Sequence, residues 1–151
     1  MDWFPEEEYR LRWDRARGLM AEEGLDALLI TSDPNYRYFT GHRPFCPWAT
    51  LTRANIALIP LSDEPVILAH LFHLEDVKAS SPVKDVRPYS DLATPPLDEL
   101  MDALSSRKLL DKTIGAELGR EQRLGVPFSD FIELQRRAHE ALFRDGRGLV
   151  R

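Results

Sequence analysis

The run Leu25-Asp26-Ala27-Leu28-Leu29-Ile30-Thr31 constrains the fold more than any other stretch of the chain. It is too uniformly apolar to have a wet side, so it reads as a strand covered on both faces. The residues before it read as a helix over 5–23, with Tyr9, Trp13, Ala16 and Met20 spaced four, three and four apart on one face and Gly24 as the stop. After it, Asp33 suits an N-cap and Pro34 the first helical position, where no backbone N–H is needed. One or two helical turns follow, carrying Tyr36, Tyr38 and Phe39, and Gly41 can close them in a left-handed conformation. A capped aromatic turn of this kind pins a loop at the carboxyl end of a sheet, where α/β proteins place their ligands.

Further along, residues 54–60 and 66–69 read as two strands joined by the turn Ser62-Asp63-Glu64-Pro65, a hairpin. A short helix is expected over 74–79 and a strand over 83–87. Thr94 is expected to cap a helix that begins with Pro95 and Pro96 and buries Leu97, Leu100, Met101 and Leu104. A strand over 112–118 follows. Pro127 then opens a helix with Phe128, Phe131, Leu134, Ala138 and Leu142 on one side, and the tail from Phe143 has room for one more short strand. Helices alternating with buried strands predict an α/β fold of three α/β/α layers, its sheet mixed because of the hairpin.

With 151 residues the chain suits a single domain. The net charge is −5 and no basic run stands out, which argues against nucleic acid as a partner. No apolar stretch approaches the ~20 residues needed to span a bilayer. The start Met1-Asp2-Trp3 does not resemble a signal peptide, and the single cysteine, Cys46, has no internal disulfide partner. The expectation is a cytoplasmic protein with no membrane contact.

Little in the sequence carries chemistry. His70 and His73 lie three apart with Glu75 and Asp76 following, but His70 falls at a strand end, so these read as solvated polar residues at a strand–helix junction rather than metal ligands. His42 has no carboxylate close in sequence, and His139 reads as surface. Gly115, Gly119 and Gly125 match neither a dinucleotide fingerprint nor a P-loop. There is no nucleophile elbow, and Cys46 has no basic neighbour beyond Arg43 to lower its pKa. Glu6-Glu7-Glu8 is a helix start favoured by the dipole, and Glu117 reads as a solvated strand terminus. The irregular loop Arg43-Pro44-Phe45-Cys46-Pro47-Trp48 has two readings: aromatic lids over the core on a stiffened turn, or a cation beside two large aromatics meeting a carboxylate, a peptide end or another subunit.

Several stretches together resemble the N-terminal domain of the creatinase / Xaa-Pro peptidase family, which includes prolidase and Xaa-Pro aminopeptidase, enzymes with a pita-bread catalytic domain. They are the run from Met20 to Ile30, the signature-like Asp33-Pro34-Asn35-Tyr36-Arg37-Tyr38-Phe39-Thr40-Gly41, the hairpin, and Thr113-Ile114-Gly115-Ala116-Glu117 in that order. The likeness spans roughly residues 8 to 148.

The resemblance implies a six-stranded mixed sheet with helices on both faces, and it gives Asp33, Asn35, Tyr38 and Gly41 a place in the structural motif. It also implies that catalysis lies elsewhere. In the family a C-terminal domain supplies two aspartates, a histidine and two glutamates to two divalent metal ions, such as Mn or Co. No residue here matches those ligands, so no catalytic or metal residue is expected in this chain, which reads as one domain cut from a longer enzyme. The implied partners are that catalytic domain, a second copy in a homodimer, and short proline-containing peptides. By position, Arg43, Phe45 and Trp48 are the candidates for a substrate-contact or dimer loop. The loop matches no single subfamily, so the parent's substrate stays open between an Xaa-Pro peptide and a creatine-like amidino compound. A stand-alone interaction module without enzyme activity is a further alternative.

Overall fold

The structure is a computed structural model that describes residues 4–44 and 54–146. Helix α1 (Glu6–Glu23) leads to strand β1 (Ala27–Ile30), helix α2 (Asp33–Thr40) and the antiparallel pair β2 (Ile56–Pro60) and β3 (Val66–His70). A 3-10 turn (Leu71–His73) opens α3 (Leu74–Ser80), followed by β4 (Asp85–Tyr89), α4 (Leu97–Ser106), β5 (Thr113–Ala116), α5 (Phe128–Arg137) and β6 (Leu142–Asp145). The strands form one sheet in the order β4-β3-β2-β1-β5-β6. β1 pairs antiparallel with β2 and parallel with β5, while β3–β4 and β5–β6 are parallel. Only β2 therefore runs against the other five, and the carboxyl ends of those five share one edge.

Strand β1 is buried at every position, as its composition requires, because it alternates between two cores. Leu28 and Ile30 join Trp13, Met20, Tyr36 and Phe39 under α1, α2 and α3. Ala27 and Leu29 join Leu100, Leu104, Phe131 and Leu134 under α4 and α5. The result is the expected three-layer α/β/α arrangement. Trp13 ties α1 to α2: its indole Nε1–H donates to the Phe39 carbonyl over 2.8 Å, deep in the first core. Gly41 ends α2 at φ +76°, where a side chain would also strike the Tyr9 ring at 2.8 Å.

Four boundaries differ from the sequence reading, each for a local reason. Ser32, not Asp33, is the N-cap of α2, and its hydroxyl is turned to Glu117 rather than to the helix. Helix α4 starts at Leu97. Pro96 holds the preceding proline out of helical geometry, and the Asp91 carboxylate fixes the N–H groups of Ala93 and Thr94 in a turn. Strand β4 lies two residues later than expected, with the Tyr89 hydroxyl bonded to the Ala54 carbonyl; Pro88 is tolerated because β4 is an edge strand. Helix α5 stops at Arg137, so its buried stripe is Phe131 and Leu134 with Ala138 as cap. Phe128 is 73% exposed, and Leu142 belongs to β6 at 58% exposure, its N–H committed to the Lys112 carbonyl.

Candidate functional site

The chain leaves β1 for α2 in the first layer and leaves β5 for α5 in the second. These strands are parallel neighbours, so a crevice opens between their carboxyl ends, the switch point at which open α/β sheets accept ligands. Glu117, the residue after β5, reaches across it. Its Oε1 accepts from the backbone N–H groups of Thr31 (2.5 Å) and Ser32 (2.8 Å), and its Oε2 from the Ser32 hydroxyl and from Asn35 Nδ2 (2.6 Å). The carboxylate is thus a cap for α2 donated from a distant strand, with the helix dipole favouring its charge. Glu117 is only 3% exposed, so its reading as a solvated terminus is overturned. Four donors replace the water it gives up.

Gly125 closes the crevice from the other side. Its N–H donates to Thr31 Oγ1 over 2.8 Å, and a Cβ there would lie 1.9 Å from the Thr31 carbonyl oxygen. The first turns of α2 and residues 121–127 bound a cleft of about 880 Å³. Within α2, the Asp33 carboxylate pairs with Arg37 at 2.8 Å. The Tyr38 carbonyl accepts from Arg12, whose guanidinium also lies 4.6 Å from the Tyr38 ring centre.

A second polar group sits where α2 gives way to the loop. His42 has no exposed surface. Its Nδ1 lies 2.8 Å from the Tyr36 hydroxyl and its Nε2 2.9 Å from Asp76 Oδ2. A carboxylate can only accept, so the neutral imidazole carries its proton on Nε2, and Nδ1 accepts from Tyr36. Burial pushes the Tyr36 pKa up, which keeps that hydroxyl protonated. Burial is also the first cause of the lowered His42 pKa; the hydrogen bond and charge of Asp76 oppose it, the nearby His73 adds to it, and Asp33 opposes it weakly.

The unfolded state binds the His42 proton more readily, so the stabilisation is complete above the ordinary histidine pKa and is lost as pH falls from about 6.5 toward the lower folded value. The urea midpoint is expected to fall between pH 7 and pH 5, and His42→Gln is expected to flatten that dependence. An equal slope in the variant would rule His42 out as its source.

Arg43 follows His42 directly and is exposed. Phe45 and Trp48, the other two candidates for the contact loop, lie outside the described residues, as does Cys46. His70 is buried rather than solvated: its Nε2 meets the Ser90 carbonyl at 3.1 Å and its Nδ1 accepts the Phe72 N–H at 3.2 Å. Both nitrogens are committed to the backbone, and no group of three His, Cys, Asp or Glu among the described residues could hold a metal ion. No helix among them is long and apolar enough to cross a membrane. The sequence reading missed the partners of Glu117, more than 80 residues away, and the Asp76 partner of His42, more than 30 residues away. A carboxylate directly after a buried strand was the only available signal for the first; nothing local marked the second.

The family model for the creatinase/prolidase N-terminal domain matches residues 12–151. The chain belongs to this family. Its fold agrees with solved structures. An Xaa-Pro aminopeptidase from Streptococcus pyogenes superposes with a TM-score of 0.70 at 23% identity, over 97% of each chain. The corresponding domain of a dipeptidase from Streptococcus thermophilus gives 0.69 at 18% identity, over 89% of this chain and 91% of that one. A prolidase from Pyrococcus horikoshii OT3 gives 0.67 at 20% identity over 93% of this chain, which spans only 34% of the prolidase. No curated protein matches the chain. In this creatinase/prolidase N-terminal domain, the Glu117 clasp and the His42 group occupy the two ends of α2, on either side of the segment whose sequence pointed to the family.

Proposed function

We propose that this chain is the non-catalytic N-terminal domain of an Xaa-Pro peptidase-like metallohydrolase, shaping substrate access to the catalytic domain and taking part in a homodimer. The observation that carries the reading is the coverage of the Pyrococcus horikoshii prolidase, in which a fold of this kind accounts for about a third of a longer chain. The described residues do not fit a metal centre, so no catalytic step is assigned to them. The two divalent ions, Mn or Co, belong to the proposed C-terminal catalytic domain, where they would polarise a peptide carbonyl and activate water.

In this reading the His42 group sets the direction in which the chain leaves α2. The buried imidazole is held between α2 and α3, so the exposed Arg43 starts the following loop from a fixed base. Arg43 then meets a substrate carboxylate at the entrance, with Phe45 and Trp48 as its proposed companions on the loop.

The test is hydrolysis of Ala-Pro and Gly-Pro-Ala with Mn²⁺ by the protein encoded by the longer reading frame, beside this 151-residue chain. Activity in the longer protein alone is the expected result. Silence in both would favour a creatinase-like hydrolase or a stand-alone interaction module, and activity in this chain would overturn the reading. In the longer enzyme, Arg43→Ala is expected to raise KM about tenfold with little change in kcat, the signature of lost substrate binding. An unchanged KM would remove Arg43 from the access role.

A further inference from the structure

The cleft between α2 and residues 121–127 is not used by the access role. Its volume, about 880 Å³, falls within the range of small-ligand pockets, roughly 300–1,000 Å³. Three side-chain polar atoms among the described residues are buried without a hydrogen-bond partner, and two of them, Arg37 Nε and Gln122 Oε1, belong to residues lining this cleft. Buried donors and acceptors are almost always paired, so two orphans in one lining point to a missing partner.

The charges say what that partner is not. The lining holds Arg37 and Arg123 against Asp33, Glu117 and Glu121, and Arg37 is already paired with Asp33. Glu117 already takes the N–H groups of Thr31 and Ser32 just ahead of α2 and puts its own carboxylate at that helix start. An anion therefore meets a lining with more carboxylates than guanidinium groups.

What remains unsatisfied is one N–H donor and one carbonyl acceptor. The neutral group that complements both is an amide, whose C=O accepts from Arg37 and whose N–H donates to Gln122. Pro34, Leu124, Val126 and Pro127 supply apolar surface beside them. The wall is also set in advance: Glu121 is held at φ +63°, unfavourable for a residue other than glycine, and Gly125 is locked against Thr31. Both orphaned atoms are covered, although their residues are partly exposed. Engaging them takes rotamer changes of Arg37 and Gln122, which are fast for partly exposed side chains.

We propose that this cleft is a binding site for a neutral, amide-bearing ligand, and that its size suits a short peptide segment held through its backbone. The proposal does not rest on the peptidase reading. It is tested on the 151-residue chain by ¹H–¹⁵N NMR, following the Arg37 Nε–H, the Gln122 side-chain amide and the Gly125 N–H. The probes are the capped tripeptide Ac-Ala-Ala-Ala-NH₂, N-methylacetamide as a small amide, and sodium acetate as an anion.

Saturable shifts of these three signals with the tripeptide are expected, and Gln122→Leu is expected to weaken binding about tenfold without unfolding the chain. Tripeptide binding at least about tenfold tighter than N-methylacetamide supports a peptide. Equal affinity supports a small amide as the natural source of the same chemistry. The proposal is overturned by the absence of saturable shifts at about 10 mM tripeptide, by acetate producing the same shifts, or by unchanged affinity in a folded Gln122→Leu variant.

Discussion

Replacing Glu117 by alanine is expected to destabilise the chain by about 3–5 kcal/mol, because a buried charged acceptor is removed and its donors are stranded. The N–H groups of Thr31 and Ser32, the Ser32 hydroxyl and the Asn35 amide would all lose their partner together. The N-cap supplies no replacement, since Ser32 makes no side-chain bond to its own helix. At roughly 2–4 °C per kcal/mol for a domain of this size, the melting temperature should drop by about 10 °C. Glu117→Gln keeps the shape and one carbonyl acceptor, so a smaller loss is expected. Thermal unfolding of the two variants beside the parent decides the matter. An alanine variant within about 2 °C of the parent would mean that water satisfies these donors as well as the carboxylate does. Amide exchange gives a second readout: the N–H groups of Thr31 and Ser32 should lose protection before those of β1.

Gly125→Ala is expected to cost at least about 3 kcal/mol, through overpacking rather than backbone conformation. The new methyl would sit 1.9 Å from the Thr31 carbonyl oxygen and 2.6 Å from its carbon, and both are backbone atoms that no rotamer change can move aside. The only relief is to pull the 119–127 segment away from β1. That would break the Gly125–Thr31 hydrogen bond and disturb the residues Glu117 grips. Gly18→Ala is the control. It lies inside α1 with nothing within 4 Å of the added carbon, and it should stabilise the chain by about 0.5–1 kcal/mol, the usual gain of alanine over glycine in a helix. Chemical denaturation of both variants separates the two mechanisms. A Gly125→Ala variant as stable as Gly18→Ala would show that the segment yields without cost.

The elements were legible where a local pattern sufficed. The face of α1, the buried strand β1, the hairpin and the left-handed stop at Gly41 all follow from spacing and from single residues with restricted backbone preferences. The misjudged boundaries lie where a tertiary contact competes with local propensity. Ser32 caps α2 with its hydroxyl turned away, because Glu117 outbids the helix for it. Leu142 continues the spacing of α5 on paper but joins β6, because its N–H is claimed by Lys112. Periodicity shows which residues are able to share a face; it does not show where another strand ends the helix.

The sequence by itself determined an α/β chain with two apolar layers around a buried strand, and it carried enough local signature to suggest the family. Those features are written in short-range order, in which each side chain's face is set by neighbours a few positions away. The tertiary structure alone decided that Glu117 is a buried cap, that His42 is clamped between Tyr36 and Asp76, and that Arg37 and Gln122 line the same cleft. Each of these depends on at least one residue far away in the chain: Glu117 from α2, Asp76 from His42, and Gln122 from Arg37. The isolated groups look like ordinary solvated side chains, and only the packing of strands and helices brings them together and removes the water that would otherwise satisfy them.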